Sequence, residues 1–327
     1  MPPRQLDQNA RLTLAAGVEL TASQRDRLDA AGFDLVADAT TSPEQLLGVI
    51  DQVEVWFGGH LDADLLAQAK QLWWLQAETA GLDHHMFPEL AASKVVVTAV
   101  RGKHVSLSEQ AMAFVLAFAR ALPLMAAQQA RRQWRQPTQQ ELKGVMGSRM
   151  VVLGTGRLAQ DLAAKAAAFG IRVDGVNHNG AAAPGFDQVF HQDHLATAVQ
   201  AAQWVVAVLP MTPETAGLVS AEVIANMAPG AVFINVGRGG VVDQTALTAA
   251  LAQGRLAGAG LDVFAQEPLP PDDPLWAMPN VLITPHSAGQ IAGLPGHEAG
   301  FECLIENLAR LRRGEELDGV ADKQAGF

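Results

Sequence analysis

The chain has 327 residues, 49% of them hydrophobic and 17% charged. That is more than one ordinary core needs; it favours two domains and excludes a disordered chain. A formal net charge of −11 argues against nonspecific binding to nucleic acid or an anionic membrane, while leaving room for a locally basic pocket.

In chain order, short apolar runs alternate with longer helical patterns. Strands are expected over 11–15, 33–36, 53–57, 72–76 and 95–98. Helices are expected over 21–31, stopped by Gly32, over 43–50, with Ser42 as N-cap, and over 62–70. A long helical segment follows from about Ser106 to Gln133, which Pro123 should kink or break. Its run Ala111 to Ala121 is apolar nearly all round, so it must be buried in a core or against another subunit, and a dimer contact is the favoured reading. A second series places strands at 150–153, 171–176, 204–209, 231–235, 258–262 and 281–284. The last helix, about Glu298 to Arg313, is expected to return to the first domain. Repeated strand–helix units predict parallel sheets covered on both faces. Cys303 alone permits no intrachain disulfide, and in its helical setting it reads as a small buried residue. Met1-Pro2-Pro3-Arg4 opens no signal-peptide apolar run, and no stretch approaches ~18 apolar residues. A cytoplasmic protein is therefore expected, with no membrane or nucleic-acid partner.

Val151-Val152-Leu153-Gly154-Thr155-Gly156-Arg157-Leu158-Ala159 has the strand–turn–helix form of a dinucleotide site. Gly154 permits the tight turn, and Gly156 lets the backbone approach a pyrophosphate. The helix that follows turns its first amides and dipole toward the anion. Ala159 stands where a third glycine is frequent, and Arg157 adds a direct positive charge. At the end of the next strand, where NAD sites usually carry an acid for the ribose hydroxyls, this chain has Asn177-His178-Asn179. Without a carboxylate to repel a 2′-phosphate, and with His178 to bond it, the segment leans toward NADP. NAD stays open, because Asn177 can also bind a 2′-hydroxyl and no arginine follows.

Three later segments each set a polar residue just beyond a strand: Asn235-Val236-Gly237-Arg238-Gly239-Gly240, Asp262-Val263-Phe264-Ala265-Gln266-Glu267-Pro268, and Thr284-Pro285-His286-Ser287-Ala288-Gly289. The carboxyl ends of strands in an open parallel sheet form its ligand crevice, so Arg238, Glu267 and His286 converge. An arginine can clamp the carboxylate of a 2-keto acid and polarise its ketone. A histidine can deliver the proton as the ketone oxygen gains charge, with a carboxylate orienting the ring.

These segments, with Leu209-Pro210-Met211-Thr212-Pro213-Glu214-Thr215, resemble the D-isomer-specific 2-hydroxyacid dehydrogenases, and the resemblance runs from Trp73-Trp74-Leu75-Gln76 nearly to the last residue. It implies Arg238, Glu267 and His286 as the catalytic set. It implies cofactor contacts at Gly154, Gly156, Arg157 and Leu158 (pyrophosphate), Asn177 and His178 (ribose), Leu209, Pro210 and Thr215 (adenosine half), and Val236, Gly237, Asp262 and Gly289 (nicotinamide side). The turn Ala80-Gly81-Leu82-Asp83 corresponds to the family's substrate-carboxylate loop, with Arg238 and His286 also touching substrate. No metal is implied. The implied fold is α/β: two Rossmann-like domains, with a cofactor domain (99–287) inserted into a flavodoxin-like substrate domain (1–98 plus 288–327), assembled as a homodimer. The substrate side chain would meet the loops Trp56-Phe57-Gly58-Gly59-His60 and Glu78-Thr79.

Formate dehydrogenases resemble this family but carry glutamine where this chain has Glu267, which disfavours them. Phosphoglycerate dehydrogenase is the close alternative to a glyoxylate/hydroxypyruvate-type reductase, and Arg101, Lys103 and His104 are its candidate phosphate cluster. A cofactor-sensing interaction protein is the alternative from another class.

Overall fold

The computed structural model describes residues 10–82, 85–100, 103–290 and 296–323, without the side chains of 103 and 104. Arg101 and Asp83, and the side chains of Lys103 and His104, therefore lie outside the described residues. The chain divides into two compact units, Met1–Lys103 with Gln290–Phe327, and His104–Gly289.

The first unit holds β1 (Leu12–Gly17), β2 (Phe33–Ala37), β3 (Val55–Gly59), β4 (Trp74–Gln76) and β5 (Val96–Thr98). They form one parallel sheet in the order β2-β1-β3-β4-β5, the flavodoxin-like order. Capping boxes start two of its helices: Thr21 with Gln24, and Ser42 with Gln45. Gly32, in the left-handed region, ends the first of them. A short helix at Pro88–Ala92 was not foreseen.

The C-terminal helix Glu298–Arg312 completes this unit, as expected. Phe301, Leu304, Leu308 and Leu311 are buried with Leu12, Leu14, Phe57 and Trp74. At about 1.5–3 kcal/mol per side chain, that burial is what ties the returning segment down. Polar bonds fix its register: Asn307, 2% exposed, donates to Gln76 Oε1 at 3.0 Å, and Thr98 donates to the same oxygen. Cys303, expected to be buried, is half-buried on this helix.

The second unit holds β6 (Arg149–Leu153), β7 (Arg172–Asn177), β8 (Gln188–His191), β9 (Trp204–Ala207), β10 (Val232–Asn235), β11 (Gly258–Leu261) and β12 (Val281–Ile283). All pairings are parallel, in the order β12-β11-β10-β9-β6-β7-β8. Strand order reverses between β6 and β9, which is the switch point where such sheets take ligands. The edge strand β8 was not foreseen.

The apolar helix Lys103–Ala119 packs one face into this unit's core, with Phe114, Val115 and Phe118 buried, while Val105 and Ala113 on the same helix stay exposed. Phe114 and Phe118 lie on β11 where only glycine leaves room. A Cβ at Gly260 would meet Phe114 at 2.5 Å, and one at Gly258 would meet Phe118 at 2.5 Å. The helix stops before Pro123. Ala121 takes a left-handed φ of 53°, and Leu122–Ala130 continues at 68° to the preceding helix with Pro123 in its first turn, where the missing N–H costs nothing. Among the described residues no single helix is long and apolar enough to cross a membrane.

Candidate active site

The phosphate turn joins β6 to the helix Arg157–Ala168. Gly154 has φ 108°, a conformation L side chains rarely adopt. Gly156 is the N-cap, with no side chain bonded to the first turn, and nothing lies within 4 Å of where its Cβ would be. Open space above uncapped amides suits a pyrophosphate. Arg157 is exposed beside it, Leu158 is half-buried, and Ala159 is fully buried against the sheet.

At the end of β7, Asn177 acts first as a tie. Its Nδ2 donates to Thr155 Oγ1 at 3.0 Å and to Ala181 O at 2.9 Å, binding the phosphate turn to the loop after β7. Its Oδ1 is buried without a hydrogen-bond partner among the described residues, so the ribose slot keeps an open acceptor and no carboxylate. His178 is exposed.

Thr215 closes the turn after β9, donating to Pro210 O at 2.7 Å and accepting from Thr212 N at 2.8 Å, while Leu209 packs on the core. The residues around Arg238 follow from close backbone approach. A Cβ at Gly237 would lie 2.7 Å from Leu209 O, and one at Gly239 would lie 1.9 Å from the carbonyl of Phe264. Only glycine fits on either side of Arg238, which locks its loop between the ends of β9 and β11. Asn235, 1% exposed, completes the lock by accepting from Gly237 N and donating to Arg238 O, both at 3.0 Å. A lone polar residue ending an apolar strand was the signal for this role. Val236 is buried at 2%.

His286 Nδ1 lies 2.6 Å from Glu267 Oε2. The other carboxylate oxygen, Oε1, accepts from Phe264 N at 2.9 Å, so Glu267 is held at both ends. The His286 ring remains 44% exposed. Its backbone has φ 51°, a strained region for a side-chain-bearing residue, and is pinned there by His286 N donating to Asp262 O at 2.8 Å. Asp262, 1% exposed, accepts from Thr284 Oγ1 (2.6 Å), Ser287 N (2.9 Å) and Ala288 N (3.0 Å). Sequence reasoning set Asp262 near the nicotinamide; its visible work is to hold the loop that carries His286. Gly289 follows that loop, half-buried. His286 and Glu267 are in contact; the loop of Arg238 packs on Phe264, which bonds Glu267. Among the described residues no group of His, Cys, Asp and Glu could hold a metal ion.

In the first unit, Ala80 and Gly81 follow β4, and Thr79 Oγ1 donates to Gly81 O at 2.6 Å. Trp56 and Phe57 are core residues, while Gly58 and Gly59 turn left-handed after them. Glu78 Oε2 lies 3.1 Å from Nε2 of the buried His85. Burial opposes charge on Glu78, but His85 and the backbone amides of Glu78 and Gly59 outweigh it and hold the carboxyl below its usual range.

Residues 112–288 match the model of the D-isomer specific 2-hydroxyacid dehydrogenase NAD binding domain. The chain is 32% identical over 286 residues to glyoxylate/hydroxypyruvate reductase A of Serratia proteamaculans, covering 85% of this chain and 88% of that one. It is 30% identical over 305 residues to D-3-phosphoglycerate dehydrogenase of Methanocaldococcus jannaschii, covering 90% of this chain but 56% of that protein. The crystal structure of a D-isomer specific 2-hydroxyacid dehydrogenase from Xanthobacter autotrophicus Py2, in complex with NADPH and MES, aligns with TM-score 0.81 at 31% identity over 98% of this chain and 100% of that one. With two parallel sheets, the glycine turn at the switch point and these relatives, the chain belongs to the D-isomer specific 2-hydroxyacid dehydrogenase family of NAD(P)-dependent oxidoreductases.

Proposed function

We propose that the protein reduces a small 2-keto acid of the glyoxylate or hydroxypyruvate type to the D-2-hydroxy acid, with NADPH preferred over NADH. The observation that carries this is the 2.6 Å contact of His286 with Glu267, which leaves the exposed ring its Nε2 for substrate. The reduced nicotinamide, when bound, supplies the hydride. Arg238 holds the substrate carboxylate and polarises the ketone. As the carbonyl carbon is reduced, its oxygen becomes an alkoxide and takes a proton from His286 Nε2. In reverse, neutral Nε2 removes the hydroxyl proton. Glu267 bonds Nδ1 and so turns Nε2 toward the reacting oxygen; such acid–base help is worth ~10²–10⁴ in rate.

The second unit is the cofactor domain in this reading, with Gly154, Gly156, Arg157 and Leu158 at the pyrophosphate. Leu209, Pro210 and Thr215 lie along the adenosine half, and Val236, Gly237, Asp262 and Gly289 toward the nicotinamide. The first unit is the substrate domain, with the amides of Ala80 and Gly81 receiving the carboxylate. The NADP preference is supported by the missing acid at Asn177, by the exposed His178, and by the NADPH in the Xanthobacter structure. The Methanocaldococcus relative favours phosphohydroxypyruvate as an alternative substrate, whereas the ionised Glu78 beside the carboxylate loop opposes a second anionic group. Assembly as a homodimer is part of the same reading: Trp134 is 100% exposed and Met146 86%, apolar surface that a second copy would cover. Light scattering on the purified protein reads that mass directly.

The test is NADPH and NADH oxidation in parallel against glyoxylate, hydroxypyruvate, 2-ketoisocaproate and phosphohydroxypyruvate. Turnover of glyoxylate or hydroxypyruvate with NADPH faster than NADH is the expected result. Turnover of phosphohydroxypyruvate alone establishes the alternative, and no turnover across the panel refutes the proposal.

A further inference from the structure

We infer that His191, backed by His194, joins His178 in a pocket for the cofactor's 2′-phosphate, so that selection between NADP and NAD depends on pH. The inference rests on the reading of the second unit as the cofactor domain. β8 pairs with β7 so that His191 stands directly opposite Asn177, the residue in the ribose slot. His178 is the next residue, and its ring centroid lies 6.3 Å from that of His191. The ring of His194 meets His191 edge-on at 6.5 Å. The turn between the strands packs back on the same place, since a Cβ at Gly180 would lie 3.2 Å from His191 N. Three imidazoles thus gather at the carboxyl ends of β7 and β8. Each imidazole has a ring N–H to offer an anionic oxygen.

Asp193 sets the state of the central ring. Its amide donates to His191 Nδ1 at 3.2 Å, which leaves the proton of the neutral ring on Nε2. Its carboxylate lies 3.4 Å from Nδ1, and Nε2 is left to donate outward. Glu214 is a second carboxylate beside the cluster, on the side of His178. Its pKa is lowered first by its own backbone amide and the Thr212 hydroxyl, then by His178. A 2′-hydroxyl asks for one hydrogen bond, whereas a 2′-phosphate gains charge-assisted bonds from each ring that takes up a proton. Imidazole is the side chain whose charge changes across neutral pH, so phosphate binding should strengthen on acidification and binding to the bare ribose should not.

The experiment is calorimetric titration with NADP⁺ and with NAD⁺, without keto acid, at about pH 8.5, where an ordinary imidazole is neutral, and about pH 6.5, where about half of it is protonated. The ratio of the two dissociation constants cancels every titration that acts on both cofactors alike, and the 2′-phosphate's own protonation near about pH 6 works against the expected rise. In the wild-type protein the preference for NADP⁺ is expected to rise about tenfold on acidification, as for a new charged hydrogen bond. In His191→Asn, and separately in the more exposed His178→Asn, the rise should shrink to under about threefold, with folding checked by thermal melting. A flat ratio in the wild type, or an undiminished rise in both variants, overturns the inference while leaving a cofactor domain in place. Failure of either nucleotide to bind refutes the parent reading as well.

Discussion

The carboxyl ends of β10–β12 and those of β7–β8 belong to one sheet but are built on opposite plans. At the first, nearly every polar atom is spoken for: Asp262 accepts from Thr284, Ser287 and Ala288, Glu267 is bonded at both oxygens, and Arg238 is locked between glycines that admit no side chain. At the second, His178 and His194 are exposed, and their ring centroids lie 6.3 and 6.5 Å from that of His191. The region proposed to touch reacting atoms is fixed before substrate arrives, as catalysis by positioning requires. The region proposed to choose the cofactor is held loosely and can follow pH or mutation without disturbing the chemistry.

Substitutions can break this contrast in a graded way. Arg238→Ala should have the largest effect, lowering kcat/KM for the keto acid by about 10²–10⁴ through loss of charged, paired hydrogen bonds. Arg238→Lys should recover only part, since an ammonium cannot reproduce the planar fork. Steady-state kinetics at saturating NADPH reads both. Asp262→Ala should come next. It strands donors in a site with 1% exposure, and urea denaturation should show a loss of about 2–4 kcal/mol. Turnover should fall with it, because the strained backbone of His286 loses its support. Asn177→Asp should be smallest, restoring the acid of NAD sites and shifting preference toward NADH by about tenfold, with a stability loss of about 1 kcal/mol because Nδ2 no longer donates to Ala181 O. If Asn177→Asp instead cost as much stability as Asp262→Ala, the two ends of the sheet would be equally rigid and the contrast would fail.

The same contrast marks how far sequence reasoning reaches. Both parallel sheets were legible because buried strands such as Trp204–Ala207 are continuous apolar runs. The contact of His286 with Glu267 was legible because each lies just past a strand in a distinctive segment. β8 was not, because it lies at a sheet edge, exposed or half-buried, and its apolar pair Val189-Phe190 is too short a run to read as a strand. With β8 unseen, the placement of His191 opposite Asn177 was out of reach. The apolar run Ala111–Ala121 showed that the helix is buried but not by what, since a core and a partner ask for the same side chains. Contacts such as that of Phe114 with Gly260 show which face the core takes. Pro123 marked the break: the helix ends at Ala119, whose carbonyl a proline at 123 cannot bond and which accepts from Lys143 N instead, and Pro123 lies in the first turn of the next helix.

The central claim is that His286 is the proton donor of a 2-keto acid reductase, and the most direct measurement pairs two readouts on His286→Ala. The expected result is a fall in kcat of ~10²–10⁴ with glyoxylate or hydroxypyruvate, as for the loss of a general acid, while the dissociation constant for NADPH stays within about twofold of wild type. Turnover that survives the substitution within about tenfold, below the range general acid catalysis supplies, would contradict the account.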